Sequence, residues 1–179
     1  MTQDTTQDAP LPTPPEALMA RLDAMGIPYR LHTHKAVFTA EEAAFLEGVI
    51  PGMHIKNLFL KDKKDRMALV VVPHDISLDL KTLAPAIGLD RISFGSPDRL
   101  WTYLGVRPGS VNPFCAMNDT GNAVQVIMHE AAATAPVLSA HPMLNTMSLE
   151  MAGPDIVRFL DSVGHKPRLL NLNAFCRAA

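Results

Sequence analysis

Five residues, Ala68-Leu-Val-Val-Val72, place the tightest limit on what this chain can fold into. No polar residue interrupts them, so a strand built from them needs an apolar layer on each of its faces. The run lies in a strand candidate at 67–73, which follows another at 54–60 across the charged turn Lys61-Asp-Lys-Lys-Asp-Arg66. A central, doubly covered strand requires a sheet with helices or further layers around it.

The remaining pattern supplies those layers. A helix is expected after Pro14-Pro15, with Thr13 as its cap, Leu18, Leu22 and Met25 on one face, and Gly26 just past its end. Residues 27–34 read as extended, and Thr39-Ala-Glu-Glu42 is a capping box that opens a helix to about Glu47. A short helix follows Ser77 or Asp79, then a short strand at 91–94, then a helix opened by Ser96-Pro97-Asp98. Residues 114–117 and 123–128 are expected to form a hairpin around Asn118–Asn122. A strand at 146–151, a helix from Gly153-Pro154-Asp155 to Gly164 and an edge strand at 167–172 complete the chain. Helices interspersed with strand pairs give a mixed α/β class with a mixed or mainly antiparallel sheet.

With 179 residues and no internal repeat, one domain over 16–175 is expected, preceded by a disordered proline-rich tail at 1–15. No apolar run approaches the roughly 20 residues that span a bilayer, so a cytoplasmic protein without membrane contact is expected. The net charge of −2 excludes a protein that coats nucleic acid by bulk electrostatics, so any such partner is held locally by a few cations. Cys115 and Cys176 have no neighbouring cysteine and form no zinc pattern. His32-x-His34 shares a strand face, but no third ligand stands at a recognised spacing, so no metal is expected. Nucleophile-elbow, phosphate-loop and dinucleotide motifs are absent from the sequence.

Three stretches carry candidate chemistry. Gly105-Val-Arg-Pro-Gly-Ser-Val-Asn-Pro-Phe114 mixes glycine, proline and small polar residues, which suits either a plain connection or a loop that fixes backbone N–H groups around a ligand oxygen. Lys56 interrupts an otherwise buried-looking strand, either as a solvent-side lysine or as a cation for a phosphate or a polarised carbonyl, with Asn57 then on the other face or starting a bulge. His141-Pro-x-x-Asn145 either closes a turn or supports the 105–114 loop.

Together these stretches resemble the YbaK/ProX-like prolyl-tRNA editing-domain family. The likeness is carried by Lys56-Asn-Leu-Phe-Leu60, by Gly105-Val106 with Gly109-Ser-Val-Asn-Pro-Phe114 and Asn118-Asp119, and by His141-Pro-x-x-Asn145-Thr146. Asp155 to Gly164-His165-x-Pro167 fits as well, so the resemblance runs in order over residues 16–172. His129-Glu130 stands where the family pattern leads one to expect an acidic residue. Within the family the chain looks most like the freestanding alanyl-tRNA(Pro) deacylases and less like the cysteinyl-tRNA(Pro) branch.

The resemblance implies a central mixed, mainly antiparallel, partly barrel-like sheet flanked by helices. It also implies trans-acting ester hydrolysis of mischarged tRNA(Pro), without cofactor or covalent intermediate. The acceptor end of tRNA(Pro) would be the partner, and prolyl-tRNA synthetase a transient one. Lys56, Gly109 and Ser110 would be catalytic, with Asn57, Val111, Asn112, Pro113, Phe114, His141 and Asn145 binding substrate. A non-catalytic module that holds tRNA ends or a synthetase is the alternative of a different class.

Overall fold

A computed structural model describes residues 8–178. Its strands are β1 (Arg30–Thr33), β2 (Met53–Lys61), β3 (Met67–Pro73), β4 (Ser93–Phe94), β5 (Val124–His129), β6 (Leu138–Ala140), β7 (Met147–Met151) and β8 (Arg168–Leu170). Its helices are α1 (Pro15–Ala24), α2 (Ala40–Val49), α3 (Leu80–Ala86), α4 (Pro97–Leu104), α5 (Glu130–Ala133) and α6 (Gly153–Ser162). The strands form one sheet in the order β1-β7-β6-β2-β3-β5-β8, with β4 beside β2. Four of the seven strand pairs are antiparallel, as in the mainly antiparallel mixed sheet expected. The path ends at β1 and β8 and does not close into a barrel.

β3 lies between β2 and β5 and is buried along its whole length. Leu69 and Val71 pack with α1, α4, α5 and α6 on one face, and Ala68, Val70 and Val72 pack with α3 on the other. Each fully buried side chain of this size contributes roughly 1.5–3 kcal/mol, so the run stabilises both layers at once. Phe114 and Phe159 meet edge to face at 5.3 Å and join the loop after α4 to α6.

Caps fix the helices where the sequence places them. Thr39 and Glu42 form the full capping box of α2, Asp79 caps α3, and Ser96 caps α4. Gly26 (φ 65°) follows α1, and Ile27 N–H returns to Leu22 O.

The structure corrects three expectations. First, residues 114–117 are not a strand: Pro113–Asn118 is a 3-10 helix, because the Asn112 side chain caps Cys115 N–H and Pro113 occupies the first turn. β5 pairs in parallel with β3, so no hairpin forms there. Second, Thr13 does not cap α1; its hydroxyl lies 2.6 Å from Asn118 Oδ1, and Pro14 holds the cap position. Third, the segment before α1 is docked. Leu11 packs on the core and Pro12 sits against Gly105, while Arg107 donates to Ala9 O. The part of the expected tail at 1–7 lies outside the described residues. Leu138–Ala140, which the sequence left without an element, is β6.

Candidate active site

β2 pairs with β6 at Met53–His54 and with β4 at Leu60–Lys61, which leaves Ile55–Phe59 without a strand on that edge. The loop after α4 reaches β2 at this stretch: Asn57 Nδ2 donates to Val111 O at 3.1 Å. A cavity of about 90 Å³ opens beside this bond. Val37, Ala43, Leu46, Ile55 and Ala140 supply its apolar wall, and His54, Asn57, Ser139, His141 and Ser148 its polar one. Val37 and Leu46 also line a groove of about 740 Å³ between β1 and α2, so the small chamber adjoins a much larger open one.

The loop has a defined internal structure. Gly105 ends α4 in the left-handed region (φ 62°), and a Cβ there would press on Pro12 and on Asn118 Nδ2. Gly109 has φ 85°, and a Cβ there would lie 3.4 Å from Asn145 Nδ2. Asn145 therefore lies beside the loop, while His141 Nδ1 donates to Met147 O within its own turn. Ser110 N–H is committed to Arg107 O at 3.0 Å, whereas Gly109 N–H makes no hydrogen bond among the described residues. Of the two expected loop donors, the Gly109 amide is the one available to a ligand.

Asn112, Pro113 and Phe114 are buried, and none of the three lines the chamber. Asn112 donates to Ser110 O at 2.8 Å and accepts from Cys115 N–H, so it shapes the loop from inside. Cys115 lies behind it, and burial pushes its thiol up to about 12, which removes it as a nucleophile. His165 donates to Asp119 O at 2.9 Å and ties the end of α6 to the far side of the loop. His129 caps α5 by accepting from Ala131 N–H.

Lys56 is separated from this cluster by the alternation of β2. Its cross-strand partner Val72 belongs to the α3 layer, whereas Val71, opposite Asn57, belongs to the loop side. Burial lowers the Lys56 ammonium below its ordinary value, Asp75 opposes the effect, and Arg177 adds to it. Those charges belong to segments on the α3 side, away from Asn57.

His34, His54, Ser139 and Ser148 are site residues that the motifs did not single out. His34 accepts from Ser148 at 2.9 Å, and its ring lies 6.0 Å from that of His141. His32, its partner in the rejected metal pattern, turns instead to Glu150 at 2.7 Å. The one sequence signal for His34, just past the end of β1, was its spacing of two from His32; Ser139 and Ser148 carried none.

Burial holds His141 below the ordinary imidazole value of 6.5, the bond to Met147 O opposes this, and His34 and His54 reinforce it. The unfolded chain takes up a proton as pH falls through that value while the folded chain does not. The contribution of His141 to stability is thus complete above about pH 6.5 and declines below it. His141→Asn, whose amide can still serve Met147 O, should show a shallower loss of Tm than the wild type between neutral and mildly acidic pH. Identical slopes would contradict it.

Comparison with known proteins gives a consistent set. The aminoacyl-tRNA editing domain profile matches residues 34–159. The prolyl-tRNA editing protein ProX of Acetoanaerobium sticklandii is 34% identical over 158 residues, covering 88% of this chain and 96% of that protein. The multifunctional Ser/Thr-tRNA deacylase ProXp-y of Escherichia coli K12 is 28% identical over 152 residues, covering 80% and 91%. A crystal structure provisionally described as a trans-editing enzyme for prolyl tRNA synthetase superposes with a TM-score of 0.67 at 16% identity, over 95% of this chain and all of the other. That last likeness is one of fold.

Proposed function

Because this chain belongs to the aminoacyl-tRNA editing-domain family, we propose that it is a hydrolase that frees wrong amino acids from tRNA(Pro), acting in trans, with alanyl-tRNA(Pro) as its main substrate. The observation that carries the reading is the 90 Å³ chamber whose Asn57 holds Val111 O of the loop that also carries the free Gly109 amide. Its size suits a small aminoacyl side chain, and the adjoining groove has room for the terminal nucleotide. A synthetase pocket shaped for proline rejects smaller side chains weakly, since each missing methylene is worth only about 1–3 kcal/mol. A second chamber that excludes proline by size supplies the remaining discrimination.

In this mechanism the Gly109 N–H donates to the ester carbonyl oxygen as it gains charge, and Asn57 fixes the loop through Val111. No carboxylate lines the chamber, so holding the ester and a water in register does most of the work. The test is a panel of alanyl-, seryl-, threonyl-, cysteinyl- and prolyl-tRNA(Pro), followed by amino-acid release. Rapid alanine release with intact prolyl-tRNA is expected, and no release from any ester would sink the reading. The Ser/Thr deacylase among the relatives, together with Ser139 and Ser148 in the wall, supports seryl-tRNA as a second substrate.

Lys56, on the other face of β2, is assigned to a tRNA phosphate and not to the ester. Lys56→Ala should raise KM about tenfold, leave kcat within a few-fold, and lower the salt dependence of binding by about one phosphate contact. A fall confined to kcat would return Lys56 to the reaction centre.

A further inference from the structure

The hydrogen-bonding sense of the 90 Å³ chamber is set by groups outside it. A carbonyl oxygen only accepts, so each ring nitrogen that faces one carries the proton. His34 Nδ1–H donates to Lys35 O at 2.8 Å, His54 Nε2–H to Ile50 O at 2.9 Å, and His141 Nδ1–H to Met147 O at 2.8 Å. The opposite nitrogen of each neutral ring is then an acceptor. Ser148 gives its hydroxyl proton to His34 Nε2 at 2.9 Å, and Ser139 turns its own toward His54 Nδ1 at 3.5 Å. Both hydroxyls are left with lone pairs only. His141 Nε2 has no partner among the described residues.

Asn57 completes the pattern. Its Nδ2 is used by Val111 O, which fixes the amide orientation, and its Oδ1 is buried without any donor. A buried acceptor in that state has lost water and gained nothing in return. Asn57, Ser139, His141 and Ser148 therefore each offer an acceptor, His54 has both ring nitrogens engaged, and none of the lining residues is lysine or arginine. Burial keeps His141 neutral, which preserves its lone pair.

We propose that the chamber recognises the free α-amino group of the aminoacyl ester, with Asn57 Oδ1 and His141 Nε2 as its acceptors. The inference rests on the ester-hydrolase reading above and adds the feature by which the substrate is chosen. The amine supplies the donors that the wall lacks, and the side chain meets Val37, Leu46 and Ile55. An ester whose amine is acylated, as at the end of a peptide, loses donors and gains bulk, and is excluded on both counts. Asn57 acts here as a positioning residue with two ends, one on the loop and one on the amine.

The experiment compares alanyl-, lactyl- and propionyl-tRNA(Pro), which carry an amine, a hydroxyl and a hydrogen on the same carbon. Each enzymatic rate is divided by that ester's uncatalysed hydrolysis rate, which removes the electronic effect of the amine. In the wild type, kcat/KM for the propionyl ester is expected at least about a hundredfold below that for the alanyl ester, with the lactyl ester between. Asn57→Leu removes the loop anchor and slows both esters, but it should lower the alanyl rate much more than the propionyl rate, so the gap narrows at least tenfold. His141→Asn, which keeps a donor for Met147 O, should narrow it as well. Equal normalised rates in the wild type, or an undiminished gap in both variants, would overturn the proposal. If no ester is hydrolysed, the hydrolase reading falls instead, and equilibrium binding of alanyl- against propionyl-tRNA(Pro) decides the amine site: tighter binding of the alanyl form supports it and equal binding overturns it.

Discussion

Gly109→Ala should lower kcat for alanyl-tRNA(Pro) hydrolysis by about 10²–10³. At φ 85° an added Cβ is strained by about 1–2 kcal/mol, and it would also crowd Asn145 Nδ2 at 3.4 Å. The chain relieves both by rotating the 108–110 segment, which turns the Gly109 N–H away from the position it holds now. Of the two expected loop donors, that amide is the one without an internal acceptor, since Ser110 N–H is held by Arg107 O. Gly109 is exposed, so Tm should move little while kcat collapses, and the two are to be measured on the same preparation. An unchanged kcat would remove the loop amide from the reaction, and a parallel collapse of Tm would show a structural glycine only.

Changing the chamber volume should alter substrate choice by a comparable factor. Ala43 on α2 lines the cavity from a helix that accepts leucine readily, so Ala43→Leu fills much of the 90 Å³ without breaking an element. Alanyl-ester turnover should fall about a hundredfold, as three added carbons occupy the substrate's place. Leu46→Ala works in the opposite direction. Leu46 is buried between the chamber and the large groove, and removing its side chain joins the two. Proline carries two more carbons than alanine, each worth about 10–200-fold in discrimination, so the alanyl over prolyl ratio should drop at least about tenfold. Leu46→Ala also costs about 2–5 kcal/mol, so turnover is compared well below its Tm. A ratio that stays constant in both variants would mean that proline is rejected elsewhere.

Much of the fold was legible because its signals are local. The apolar run at 68–72, the Thr39–Glu42 capping box and Ser96-Pro97 each state their structure within a few residues, and each is observed. The failures occurred where a local signal was outbid. Residues 114–117 are apolar enough for a strand, but the Asn112 side chain and Pro113 start a helical turn there. Thr13 precedes a helix as a cap would, yet the hydroxyl found a better partner in Asn118, which is 105 residues away.

The sequence by itself determined the family, the doubly covered strand and the motif residues that meet at the loop. Its period of two put Lys56 and Asn57 on opposite faces of β2 unless Asn57 began a bulge, and the unbroken register with β3 decided for opposite faces. Tertiary structure alone decided which of those faces holds the chamber, because that depends on where the loop after α4 docks. It also decided the protonation pattern of the wall. The side chains of Ser139 and Ser148 say nothing about which way their hydroxyls point until His54 and His34 arrive from 85 and 114 residues away. The ring tautomers are set in turn by backbone carbonyls, whose directions follow from the packed chain. A hydrogen bond needs a partner at about 3 Å, and distance along the sequence does not give that distance in space.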